Sequence, residues 1–386
     1  MLKSGIGISS RLDLRSAAAE ALESALQGLS DDPPEAAIVM ATAAWGKRAL
    51  SGLLDEIGGS LGCEVWAGAS VEGVLVGDRE ISQRPALALL LLHGLDAEAF
   101  FCESLAGREA AAGAEILAGL PAPPRGDDLL LLFADSVNLD IPLLLAGLRE
   151  ELGVVSVVGV GASELAGDAP QVWARGRMAA GGCAGLWLRA SPRPQIGVTQ
   201  GVLALTAPFE VTRARGHWVL GLNGRPALEV LSESLDAPLD EFAARDLLVS
   251  VARDGGCAHG ANAGAVIRNL IGFDSLRGSF GLAESVVSGD WLRLVRPDAE
   301  AARQHLASVL GHLGTGRAAL GLYLNCHSRG QALFDRPGHE GDFIANALGG
   351  APFLGVTAAL QFAPHPSAPG GALLHTHSGV VARFGR

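Results

Sequence analysis

The sequence predicts an α/β protein whose repeated strand-helix-strand units form layered mixed sheets flanked by helices, in two domains. Three observations carry that prediction. The order strand, helix, glycine stop, strand, Gly-small-small recurs three times along the chain, as duplicated layers would. Apolar residues make up 49% of 386 residues, enough for two cores. The link Ala190-Ser-Pro-Arg-Pro194 interrupts helix and sheet alike and divides the chain into 1–192 and 193–386.

Lys3 to Ser9 alternates like an opening strand, and Asp13 caps a helix running to about Gly28. The first copy follows: strand Ala36 to Met40, helix Lys47 to Ile57, a glycine-rich stop through Gly62, and strand Cys63 to Ala67 closing in Gly68-Ala-Ser-Val-Glu72-Gly73. Leu87 to Leu92 adds another strand. The second copy has strand Asp128 to Ala134, helix Ile141 to Leu152, Gly153, and strand Val154 to Val158 closing in Gly159-Val-Gly-Ala-Ser-Glu164. Gln171 to Ala174 and Cys183 to Arg189 read as strands. The third copy has strand Ala319 to Leu324, helix Glu340 to Leu348, the stop Gly349-Gly350, and strand Phe353 to Gly355 leading to Gln361; Leu373 to Phe384 supplies the last strands. Between the second and third copies the texture turns to sheet. Gln195 to Ala204, His217 to Leu222, Val266 to Asp274 and Trp291 to Val295 read as strands, with a hairpin-type turn at Asn223-Gly224 and a helix capped by Asp298.

Composition excludes several functions. A net charge of −12 argues against a nucleic-acid partner, which needs a basic face. No apolar run approaches the roughly 20 residues of a bilayer span, so no membrane partner is expected. Five scattered cysteines with no Cys-x-x-Cys pair suggest free thiols in a reducing compartment. The N-terminal residues lack the apolar core of an export signal, and a cytoplasmic location is expected.

The densest chemical cluster is Asn325-Cys326-His327-Ser328-Arg329-Gly330, where an apolar strand stops and Gly330 lets the backbone turn. Arg329 either clamps a ligand carboxylate bidentately or pairs with a structural acid. Asn325 either offers an oriented amide or caps a helix. Cys326 could be a nucleophile with His327 as base, but neighbours on an extended backbone point to opposite faces. A thiol lining a pocket is the alternative. Glu72, Glu164 and Gln361 take matching places after the three Gly-small strand ends, where an acid or amide meets a ligand amine or a helix end. His375 and His377 would share one face of a strand, yet no acid or cysteine completes a metal set there. Gly159-Val-Gly161 lacks the third glycine of a dinucleotide fingerprint. Gly46-Lys47 lacks the first glycine of a phosphate loop, and Gly181-Gly-Cys183-Ala-Gly185 runs into a strand where a nucleophile elbow needs a helix. No cofactor and no metal are expected.

Together these residues resemble the FIST family, named for F-box and intracellular signal-transduction proteins, in N-terminal then C-terminal FIST order over nearly the whole chain. The likeness rests on Gly68-Ala-Ser70-Val-Glu-Gly73, Gly159 to Met178, Gln200-Gly201, Asn223-Gly-Arg-Pro-Ala227, Ile267-Arg268-Asn269-Leu-Ile-Gly272, Asn325-Cys326-x-x-Arg329-Gly330 and Leu374-His375-x-His377. The resemblance implies a ligand-sensing α/β module for a small polar metabolite, amino acids among the candidates, with no established reaction. Asn325, Cys326, Arg329 and Gly330 are its site residues by position; Arg268 and Asn269 join them as landmarks, and Gln361 stands where the family often has Glu. That exchange removes a negative charge from the site. No output segment accompanies these domains, so a separate signalling protein is the expected partner. A thiol-dependent enzyme using Cys326 and an interaction scaffold with a vestigial pocket are the alternatives.

Overall fold

The computed structural model describes residues 1–153, 155–164, 167–189, 193–235, 247–253, 264–314, 317–365 and 368–385. Part of the proline link at 190–194, Val154 and Cys257 lie outside the described residues. The chain forms two compact units: Met1–Thr199 with Leu306–Leu374 and Ser378–Arg386, and Gln200–His305 with His375–His377.

The larger unit holds three six-stranded sheets, each built round one parallel pair. The pairs are Ala36–Thr42 with Val65–Val71, Leu129–Asp135 with Ser156–Ala162, and Leu320–Cys326 with Phe353–Ala358. They are the three copies expected from the sequence. Each leading strand is apolar on both faces because both are covered, as parallel strands require. Alternation divides the labour. Ile38 and Met40, Leu131 and Phe133, and Leu322 and Leu324 meet in one core shared by all three sheets. Ala37 and Val39, Leu130 and Leu132, and Tyr323 face the helices outside. The Gly-small signature has a steric cause: a Cβ on Gly68 would fall 1.7 Å from the carbonyl oxygen of Val39, and one on Gly159 1.8 Å from that of Leu132.

The copies are larger than the sequence pattern suggests, and they are interlocked. Each begins with a further strand, Lys3–Ser9, Asp96–Cys102 or Gln195–Gln200, and then a helix. Each then sends a two-stranded excursion into another copy's sheet. Gly73–Val76 and Arg79–Ser82 add to Phe353–Ala358 of the third copy. Val172–Ala174 and Arg177–Ala179 add to Val65–Val71 of the first, and Gln361–His365 and Ala368–His375 add to Ser156–Ala162 of the second. The exchange is cyclic, so no copy completes its own sheet. In the third copy the first strand and the rest are separated by residues 200–305, and this is why the larger unit is discontinuous in sequence.

The described residues of the smaller unit include an antiparallel sheet that closes on itself. From Trp291–Pro297 it runs through Phe209–Arg215, Trp218–Leu222, Ser279–Leu282, Ala265–Asp274 and Leu248–Ala252, whose last strand pairs back with the first. Asn223 and Gly224 have φ of 48° and 80°, as the expected hairpin turn requires. Among the described residues, no helix is long and apolar enough to cross a membrane.

Several sequence expectations are corrected. Helix Lys47–Ser60 continues through Gly58 and Gly59. The parallel registers equate Glu72 with Ser163 and Ala359, so Glu72, Glu164 and Gln361 do not occupy matching places. Strand Ala368–His375 ends before His377, whose φ is 53°, so His375 and His377 do not share a strand face.

Candidate functional site

On strand Leu320–Cys326, Tyr323 and Asn325 are two residues apart and therefore share the helix-facing side. The Tyr323 hydroxyl donates to Asn325 Oδ1 at 2.9 Å. After Cys326 the chain turns through Gly330, at φ 58°, into a short helix, Gln331–Phe334. It then turns through Gly338, at φ 69°, into helix His339–Ala347. Both glycines hold left-handed conformations that a side chain would strain. The second turn places Glu340 in the first turn of its helix, where a carboxylate suits the helix dipole.

Glu340 is the centre of the cluster. Its Oε2 accepts from Asn325 Nδ2 at 3.0 Å, and its Oε1 accepts from Arg329 Nη2. Glu340 and Arg329 are each 2% exposed, so this is a fully desolvated ion pair. Two more guanidinium atoms, Nε and Nη1 of Arg329, are buried with no hydrogen-bond partner. Glu80, on the excursion strand Arg79–Ser82, closes the other side, and its Oε2 accepts from Gly338 N at 2.6 Å. A small cavity of about 10 Å³ lies between Glu80, Tyr323, Asn325, Gly330, Gly338 and Glu340. That is room for one water molecule.

The electrostatics follow from burial. Burial would lower the Arg329 guanidinium, but the adjacent Glu340 charge and Tyr323 more than offset it and hold its pKa above the ordinary value. Burial, helped by Glu340, pushes the Tyr323 phenol well above its usual range. Burial also raises the Glu80 carboxyl, only partly relieved by the Gly338 and Gln331 amides, with Glu340 adding repulsion. Two carboxylates, Glu80 and Glu340, thus repel each other beside the same small cavity.

The structure brings Asn325, Arg329 and Gly330 together, but Arg329 is not an open clamp because Glu340 already occupies it. Gln361 holds the strand end: its Nε2 donates to the backbone oxygens of Asn325 at 3.1 Å and Ala358 at 2.9 Å. Cys326 is buried on the other face and accepts from the Ser328 hydroxyl at 3.2 Å. His327 is turned to Glu72, at 2.9 Å, and not to the thiol; that hydrogen bond raises the imidazole above its ordinary pKa. Arg268 and Asn269 belong to the smaller unit. There Arg268 is paired with Glu284, and burial lowers its guanidinium, while Asn269 Oδ1 lies 2.9 Å from His377 Nε2. Sequence reasoning missed Tyr323, Glu340 and Glu80. Tyr323 is the chain's single tyrosine, placed by alternation on the face of Asn325, so the signal was there. Glu80 carried none.

The FIST N domain profile matches residues 16–225 and the FIST C domain profile residues 227–364, which together cover most of the chain. The chain belongs to the FIST family, whose domains are generally sensory domains of signal transduction. Among particular proteins it is similar to the uncharacterized protein Rv0628c of Mycobacterium tuberculosis, 28% identical over 99% of this chain and 100% of that one. The uncharacterized protein Mb0898c of Mycobacterium bovis is also 28% identical, over 99% of each chain. The solved structure of cyanuric acid hydrolase from A. caulinodans aligns with 76% of this chain and 99% of that one. Its 14% identity and TM-score of 0.17 are too slight to carry a fold or a function.

Proposed function

We propose that this FIST protein is a cytoplasmic sensor for a small polar metabolite of the amino-acid class. In this reading the ligand carboxylate takes Arg329 in place of Glu340, the ligand amine meets Glu80, and a separate signalling protein reads the result. The observation that carries the reading is the buried guanidinium with Nε and Nη1 unsatisfied. A buried unpartnered donor forfeits about 1–3 kcal/mol, and more when charged, so a second carboxylate there is favoured. Glu340 holds the place of that carboxylate in the ligand-free protein. Displacing it loosens the first turn of helix His339–Ala347, which links occupancy to a change at the surface. Because the cavity has room for no more than one water, binding requires the segment between Gly330 and Gly338 to lift.

The test is a thermal-shift screen across amino acids and small carboxylates, with mass spectrometry of any compound co-purified under native conditions. A ligand that prefers the folded state raises the melting temperature by mass action. The expected result is a hit abolished by Arg329→Ala; hits that survive this change place the site elsewhere. The small cavity favours a second reading, an interaction scaffold whose polar cluster only holds the fold. A screen with no hits, and no compound co-purified with the protein, is the outcome that supports it.

A further inference from the structure

We propose that Cys102 and Cys183 are a redox-modifiable pair that closes reversibly into an intramolecular disulfide. The proposal concerns the second copy and is independent of the ligand reading. Cys102 is the last residue of strand Asp96–Cys102, and Cys183 the first of strand Cys183–Arg189. They stand directly opposite each other in antiparallel register at the end of the ladder. Both thiols point to the helix-covered side, in the apolar cluster that also holds Leu105, Ala112 and Trp187. The neighbouring Cys102 thiol, followed by burial, pushes the Cys183 thiol well above its ordinary pKa.

The backbones also approach closely here. A Cβ on Gly182 would fall 2.3 Å from the Cys102 carbonyl oxygen, so only glycine permits the approach. Directly opposed residues of an antiparallel pair have Cβ atoms about 4.5–5.5 Å apart. A disulfide needs about 3.8 Å, so closure requires a movement of roughly 1 Å at the end of an edge strand.

The chemistry assigns the two sulfurs different parts. Cys102, on the edge strand, attacks a peroxide as its thiolate, giving a sulfenic acid and hydroxide. Cys183, whose thiol is held protonated, then attacks that sulfur; its proton and the sulfenic oxygen leave as water. Two thiols and one hydrogen peroxide thus give one disulfide and two waters, with the two electrons passing to the peroxide. A low-molecular-weight disulfide can take the same electrons by exchange, leaving as two thiols. The bond would tie the edge strand to its neighbour and fix the start of the segment leading to helix Ala112–Gly119. It would also close a loop of roughly 80 residues, which restricts the unfolded chain.

The test treats the reduced full-length protein with hydrogen peroxide and maps disulfides without reduction. The expected result is a mass loss of about 2 Da, a peptide linking Cys102 to Cys183, and a melting temperature raised by about 3 °C or more, all reversed by dithiothreitol. Cys102→Ser and Cys183→Ser should each abolish all three changes. The variant Cys63→Ser/Cys257→Ser/Cys326→Ser should retain them. If the serine variants do not fold, mapping of the unmodified sequence decides. Linkage of either cysteine to a different partner overturns the proposal, as does alkylation showing both thiols free after oxidant.

Discussion

Replacing Arg329 with alanine removes the guanidinium that pairs with Glu340 at the centre of the cluster. The carboxylate would keep one hydrogen bond, from Asn325 Nδ2 at 3.0 Å, and lose its charge partner. Both groups are 2% exposed, so solvent cannot replace what is lost. Breaking a desolvated pair from one side destabilises by about 3–5 kcal/mol. Glu80 nearby adds repulsion, which places the expected loss toward the upper end. Arg225, which bonds Glu233 at 2.8 Å on the surface, is the control, and its loss should hardly move the unfolding curve. The assay is urea unfolding followed by far-ultraviolet circular dichroism, comparing midpoints at unchanged slope. Arg329→Met/Glu340→Leu should recover most of the loss, since an apolar pair of similar volume carries no desolvation penalty. An Arg329→Ala midpoint within about 1 kcal/mol of the unsubstituted protein, the size of a surface pair, would refute the desolvated pair.

Three further outcomes are expected. Because burial raises the Glu80 carboxyl, the folded state binds a proton more tightly than the unfolded one, so this group's contribution to stability falls as pH rises above about 4.5. Glu80→Gln should therefore stabilise at neutral pH and lose its advantage in acid; urea midpoints across pH test this, and an advantage that grows on acidification contradicts it. His327 is raised from 6.5 by Glu72, so its pairing stabilises fully below that pH and fades as pH rises through the higher folded value. His327→Gln should remove that slope from the pH profile, and a slope left intact puts its origin elsewhere. The fragment Met1–Thr199 should fail to form a compact monomer, because Gly73–Ser82 would have no sheet to join and Ser156–Ala162 would lose Gln361–His365. A well-dispersed amide spectrum from that fragment would show that the cyclic exchange is dispensable.

The parallel pairs were legible in the sequence because strands covered on both faces are continuous apolar runs, and because glycine is required where Gly68 and Gly159 meet a neighbouring carbonyl. The caps were legible too: Asp13 accepts from Ser16 N at 2.9 Å, and Asp298 from Ala301 N at 2.8 Å. The excursion strands were not. Gly73–Val76 and Arg79–Ser82 are four residues each, and their partners lie in another copy, so no local periodicity announces them. The interruption of the third copy was hidden for a related reason. A proline link marks a break in structure, but only the pairing of Gln195–Gln200 in the third sheet shows that the chain returns to it. At the site, an apolar strand pattern stopping at Asn325 and a turn at Gly330 pointed to Arg329. The acid that answers it, Glu340, arrives from a helix whose approach is set by two left-handed glycines.

The most direct measurement is the affinity of wild-type protein and Glu340→Gln for the best amino-acid ligand found by the screen, by calorimetry at neutral pH. If Glu340 competes with the ligand carboxylate for Arg329, weakening that competitor should tighten binding by about tenfold, some 1.4 kcal/mol, even as the unliganded protein becomes less stable. Equal or weaker affinity in Glu340→Gln would mean that the buried guanidinium is a fixed brace and not the receptor for a ligand.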